Sequence, residues 1–194
     1  MNGTNVKATF ALTPEAAATV GDTDWEIRAV ADFNVDTQPD LVWQHKTNGK
    51  LAVWFMARGA LISASGFATL LEVSAEPDLD WKIVGAGDLN RDGQSDLFWR
   101  HRTSGAMRVW HMSGLEQWDS VELSLTVSDP QWEINALGDM NGDGWLDIVW
   151  RHYGHGGLAA WFMRDLDETL YRPVIGWVTL SLTFLQFARM YRPD

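Results

Sequence analysis

Nine aspartates fall into three short segments of one pattern, Asp-x-Asn-x-Asp-(Gly/Thr)-x-x-Asp. The copies are Asp32, Asn34, Asp36, Asp40; Asp88, Asn90, Asp92, Asp96; and Asp139, Asn141, Asp143, Asp147. Acidic and amide oxygens at alternate positions of a tight loop can converge on one point. A hard cation asks for this: Ca²⁺ takes about six to eight oxygens at roughly 2.3–2.6 Å. The carbonyl at position 7 (Gln38, Gln94, Trp145) can add an oxygen, and the Asp at position 9 closes the shell. Gly93 and Gly144 at position 6 permit the sharp turn, whereas the first copy has Thr37 there and Pro39 at position 8. Two to three Ca²⁺ per chain are therefore expected. Position 12 is Trp43, Trp99 and Trp150 rather than a bidentate Glu, so the loops are not EF-hands.

The same residues also suit Asx turns that hold no metal; threefold recurrence favours the metal. The loops contain nine of the 26 acidic residues, and three bound ions would move the formal net charge from −11 to −5. Without metal, three carboxylates per loop repel one another, so the ion-free fold is expected to be weaker.

The elements that place these loops belong to an internal repeat. The segment starting at Trp25 returns at Trp81 and at Trp132, 56 and 51 residues apart. Within each copy, Trp to the first Asp is 7 residues, that Asp to the next Trp 11, and that Trp to the third 11 again. Each copy reads as short strands, for example Trp25 to Ala31, Leu41 to His45 and Leu51 to Met56, with a weaker fourth run near Leu61 to Leu71. Four strands in 40 to 50 residues make the blade of a β-propeller. The first strand carries small residues at matched places (Ala29, Gly85, Ala136; Ala31, Gly87, Gly138), as an innermost strand at a crowded axis requires. The third is apolar on both faces, as in stacked sheets.

The expected class is all-β, with three full blades of four antiparallel strands at about 25–71, 81–127 and 132–180. Terminal strands would occupy 1–24 and 181–194. Met1-Asn-Gly resembles the end of a third strand, residues 4–12 an orphan fourth one, and Phe187 to Asp194 repeats the 7-residue spacing. Three blades leave bare edges, so a homodimer closing the ring is expected, with a piece of a longer protein as the other solution.

The loop residues, with the following Asp-Leu-Val-Trp and Asp-Ile-Val-Trp, resemble the FG-GAP/VCBS calcium-binding propeller repeat of integrin α-chains, bacterial surface proteins and the Psathyrella-type mushroom lectin. The resemblance covers about residues 25 to 165. It implies calcium in the loops between strands one and two, and a role in adhesion or glycan binding. Such repeats also accompany enzymes, including polysaccharide lyases, so fold alone does not fix function. The degenerate first loop and the His after Trp-Arg depart from the pattern.

For a ligand, the repeated Trp-Arg-His is the leading candidate: Arg100 and His101, Arg151 and His152, and His45 in the first copy. Trp54, Trp110 and Trp161 offer flat faces to a sugar ring. Packing between blades explains the same tryptophans equally simply. No Gly-x-Ser-x-Gly, phosphate loop or HExxH is present, so no enzyme is expected. The acidic balance argues against nucleic acid. No run of 18 apolar residues exists, so no membrane-spanning helix is expected. Cys is absent, and no signal peptide is visible at the N-terminus. The expectation is an extracellular or cell-surface module that binds a glycan or cell-surface ligand. The alternatives are a protein-adhesion or structural module, or a propeller fragment of a lyase.

Overall fold

The computed structural model describes residues 22–57, 60–61, 78–124 and 126–163, and within them all regular structure is β. Strands β1 (Trp25–Ala31), β2 (Asp40–His45) and β3 (Leu51–Trp54) form an antiparallel sheet, followed by the short pair β4 (Met56–Ala57) and β5 (Ala60–Leu61). The second copy is a complete four-stranded meander: β6 (Trp81–Gly87), β7 (Asp96–His101), β8 (Met107–Ser113) and β9 (Glu116–Glu122). The third contributes β10 (Trp132–Gly138), β11 (Asp147–His152) and β12 (Leu158–Trp161). The sheets are thus propeller-like blades. The terminal strands expected within 1–21 and 181–194, most of the fourth run at 61–71, and the last strand of the third blade lie outside the described residues.

Register is the same in all three copies. The first strand pairs its Trp with the His that ends the second: Trp25 with His45, Trp81 with His101, Trp132 with His152. Each first strand also carries a bulge at one place, with Arg28, Val84 and Asn135 as the extra residues between paired neighbours. The period-2 reading of these strands misses the bulge, because alternation continues on either side of it. A bulge bends its strand and re-aims a side chain.

The blades stack through their two faces. Val42, Leu51 and Val53 of the first blade pack with Trp81, Leu97, Trp99 and Trp110 of the second. Phe98, Met107 and Val109 on the other face of the second blade meet Ile148, Trp150 and Trp161 of the third. The second and third blades therefore each set a tryptophan pair against an aliphatic or Phe face of the blade before, whereas Trp43 and Trp54 cluster within the first blade. The pairs are tilted and close, with ring centroids 4.7 Å apart for Trp43–Trp54, 4.5 Å for Trp99–Trp110 and 4.7 Å for Trp150–Trp161. A buried Trp removes about 150–250 Å² from water, worth at most roughly 4–6 kcal/mol at ~25 cal/mol/Å². That explains why the Trp register never slips.

β6 lies beside both β1 and β10, which places the three first strands together. The smallness of Gly85 has a visible cause here, since a Cβ on it would meet the Leu137 side chain of the third blade at 2.5 Å. Among the described residues no helix is long and apolar enough to cross a membrane.

Candidate functional site

At one end of each first strand lies the Asp-x-Asn-x-Asp loop, and its internal geometry repeats. The carboxylate at position 1 accepts the amide of position 5: Asp36 to Asp32 at 3.2 Å, Asp92 to Asp88 at 3.1 Å, Asp143 to Asp139 at 3.1 Å. It also accepts the amide of position 6 (Thr37, Gly93, Gly144). The Asn at position 3 donates its side-chain amide to the position 5 carboxylate at 3.0–3.1 Å. That carboxylate in turn accepts the amide of Gln38, Gln94 or Trp145. These amides hold Asp139 below the usual carboxylate range, the Gly144 N–H contributing most.

The chain makes this turn with left-handed residues at positions 4 and 6. They are Val35, Arg91 and Gly142 (φ 59°, 64°, 78°) and Thr37, Gly93 and Gly144 (φ 69°, 87°, 85°). Glycine adopts that conformation freely, whereas Val and Thr are strained in it by about 1–2 kcal/mol each. The first loop, with Val35 and Thr37, keeps the shape at a cost that the third avoids altogether.

Position 9 plays a part that the motif does not reveal. Asp40, Asp96 and Asp147 are fully buried. One oxygen accepts the amide of position 2 (Phe33 at 2.9 Å, Leu89 at 3.0 Å, Met140 at 2.8 Å). The other accepts the amide of the Met two residues past the third Trp (Met56, Met112, Met163, at 2.9–3.0 Å). Each carboxylate thus ties the loop to the end of the third strand or to the residues just past it. Burial pushes Asp40 up and Asp96 up to about 6, against the pull of those amides. With position 9 turned into the blade, the three carboxylates of a loop do not come within 4.8 Å of one another. Among the described residues the acid and His groups that do are Asp22, Asp24, His45 and Asp78, Asp80, His101.

Those groups sit at the opposite end of the first strand. His45, His101 and His152 contact Asp22, Asp78 and Asp129 through Nε2 at 2.9, 2.9 and 3.1 Å. Nδ1 of each ring accepts a backbone amide, from Thr47, Ser104, and Gly154 with His155. The Nε2 proton therefore donates to the Asp. Each ring also packs edge-on against the Trp that starts its blade, at 5.0–5.2 Å. The histidines proposed as ligand contacts are therefore clamps that hold the second strand's end to the blade's lead-in. The signal lies in the sequence just ahead of each repeat, as Asp22-Thr-Asp-Trp25, Asp78-Leu-Asp-Trp81 and Asp129-Pro-Gln-Trp132.

The residue between Trp and His joins blade to blade. Gln44, buried, donates to the Trp81 carbonyl at 2.9 Å and accepts the Ile83 amide at 3.2 Å. Arg100, also buried, donates to the Val127 and Asp129 carbonyls at 2.9 and 3.3 Å. Its counterpart Arg151 is exposed and lies over the Tyr153 ring. Trp54, Trp110 and Trp161 are buried against their partner tryptophans, so their flat faces meet protein.

Beside these clamps, the first strands and their bulges line a groove of about 920 Å³. Arg28, Lys82, Arg100 and Arg102 reach it from the first two blades, and Glu26 and Glu133 from the first and third.

Copies of one antiparallel blade, stacked on Trp faces with an acidic loop at each first corner, define a tandem-repeat protein of propeller-like blades. Residues 88–150 match the FG-GAP-like repeat, a span that runs from the first Asp of the second loop to the Trp after the third. The match is consistent with a repeat of the FG-GAP/VCBS kind over that span. Neither the curated proteins nor the solved structures gave a match.

Proposed function

We infer that the chain is a calcium-stabilised extracellular recognition module that binds carbohydrate. The observation that carries the metal is the threefold loop: three different sequences, two of them with non-glycine residues in the left-handed region, take the same hydrogen-bonded turn. The donor set fits a hard cation. Positions 1, 3 and 5 gather side-chain oxygens, and each carboxylate oxygen has lone pairs beyond those its amides use. Asp32, Asn34, Asp36 and their counterparts would hold the ion, with the carbonyls of Gln38, Gln94 and Trp145. Asp40, Asp96 and Asp147 would back the shell. The ion would supply charge neutralisation and loop rigidity, and no reaction is assigned to it. The chain acts in this reading as a binder and not as an enzyme, and a second copy completes the ring.

Ligand contact falls to the groove, because the third-strand tryptophans are buried and the histidines are occupied. Glycan-array binding in millimolar calcium, lost in EGTA, is the expected result. Array binding unchanged in EGTA, together with an unchanged melting temperature, would remove calcium from the reading. Absence of any glycan binding by the folded protein would leave protein adhesion in its place.

A further inference from the structure

The geometry points to the groove along the first strands as a site for an acidic saccharide, whose carboxylates Lys82 and Arg102 bind. This names the ligand class for the carbohydrate reading above and rests on it.

Three independent features meet here. The first is shape: the bulge recurs at one place in β1, β6 and β10, and all three extra residues, Arg28, Val84 and Asn135, line the same groove. Bulges are a means of aiming side chains at a site. Its volume of about 920 Å³ suits several sugar rings rather than a lone inorganic ion.

The second is charge. Four of the chain's 15 Lys and Arg line this groove in a protein of formal net charge −11, against two acids. Lys82 stands directly opposite Arg100 on the neighbouring strand, and like charges in that relation repel. Burial first, and then the charges of Arg28 and Arg102, hold the Lys82 ammonium below the ordinary lysine range. An anion placed among them relieves that repulsion.

The third is unequal commitment. Arg28 donates to the Ile83 carbonyl at 3.0 Å and pairs with Glu26 at 3.5 Å. Arg100 is held by two carbonyls, yet its buried Nε has no acceptor. Arg102 is exposed, and Lys82 half-buried. Two cations are thus structural and two are available. Glu133, Asn135 and Thr103, all exposed, can take hydroxyl groups, and Ile27, 49 % exposed, offers an apolar face to a ring.

The test is titration calorimetry of the calcium-loaded full chain with tetragalacturonate, its fully methyl-esterified form, and sodium sulfate. The acid form should bind, more weakly as salt rises, and the ester about tenfold or more weakly. Lys82→Ala with Arg102→Ala should reduce acid binding at least about tenfold at unchanged melting temperature, charge-assisted hydrogen bonds being lost. Lys50→Ala, which removes an exposed cation outside the groove lining, should leave binding as it was. Equal binding of acid and ester, full binding by the folded double variant, or binding of sulfate alone overturns the assignment. Neutral glycans bound on the array with no preference for acids would sink this inference and leave the carbohydrate reading standing. No glycan bound at all would sink both.

Discussion

The two ends of each first strand follow opposite rules. At the loop end the three copies keep the same side chains and the same hydrogen bonds, even where Val35 and Thr37 must strain to do so. At the other end the clamp of Trp, His and Asp is constant, but the residues facing the groove change: Glu26, Lys82, Glu133, and then Arg28, Val84, Asn135. The side chains that hold the loop and the clamp stay constant from copy to copy. Positions that face the groove are free to differ, and that is where a repeat protein can acquire chemistry that its unit does not have.

The sharpest way to break this contrast is at position 9. Asp96→Ala leaves the Leu89 and Met112 amides without acceptors at a fully buried site. Two such orphaned groups cost roughly 3–5 kcal/mol, and denaturant unfolding should show that loss. His101→Ala at the other end removes a partly exposed clamp, so about 1–2 kcal/mol is expected. If the two variants lose equal stability, the loop end has no priority. A smaller effect of the same kind sits between the blades. Gln44→Leu deletes both bonds to the second blade while keeping bulk, leaving the Trp81 carbonyl and the Ile83 amide unmet. About 2 kcal/mol should be lost, and the change should loosen the first blade more than the third in hydrogen exchange.

Much of this was legible in the chain. The fixed Trp spacings gave the strands and their stacking, because a large side chain buried at an interface fixes register more tightly than propensity does. Small residues at Ala29, Gly85 and Ala136 marked the crowded inner strand, and Leu137 against Gly85 shows why. Three things were not readable. The bulges leave alternation intact on both sides. The link from Asp96 to the Met112 amide spans 16 residues and uses backbone, which carries no sequence signal. The role of Gln44 and Arg100 depends on a neighbour that sits beside them only after the blades have stacked. The Trp-Arg-His motif correctly marked constrained residues, but tryptophans and histidines that repeat in every copy were serving the unit.

The strain at the first loop offers a finer comparison. Thr37→Gly removes a β-branched residue from a φ of 69° and should stabilise the metal-free protein by up to about 1 kcal/mol, the relief being partly offset by glycine's larger unfolded-state entropy. The reverse change, Gly93→Thr at φ 87°, should cost about 1–2 kcal/mol. Melting in EGTA measures both. Equal and small shifts would mean that the loops adapt rather than resist.

The smallest expected effect belongs to acid. Asp22 and Asp78 are held below the ordinary carboxylate value of 3.8, first by the amides of Asp24 and Asp80 and then by His45 and His101. A carboxyl whose pKa is lower folded than unfolded adds stability that is complete above the unfolded value. That stability fades as pH falls from about 3.8 through the lowered value. Both groups are exposed, so solvent screens the gain and the slope is shallow. Asp78→Asn should therefore flatten the loss of stability between pH 5 and 3, a range of about two units around that ordinary value, while the baseline near neutrality drops only slightly. A parent and variant with parallel profiles over that range would show that these clamps hold by geometry alone, without a contribution from the charge on Asp78.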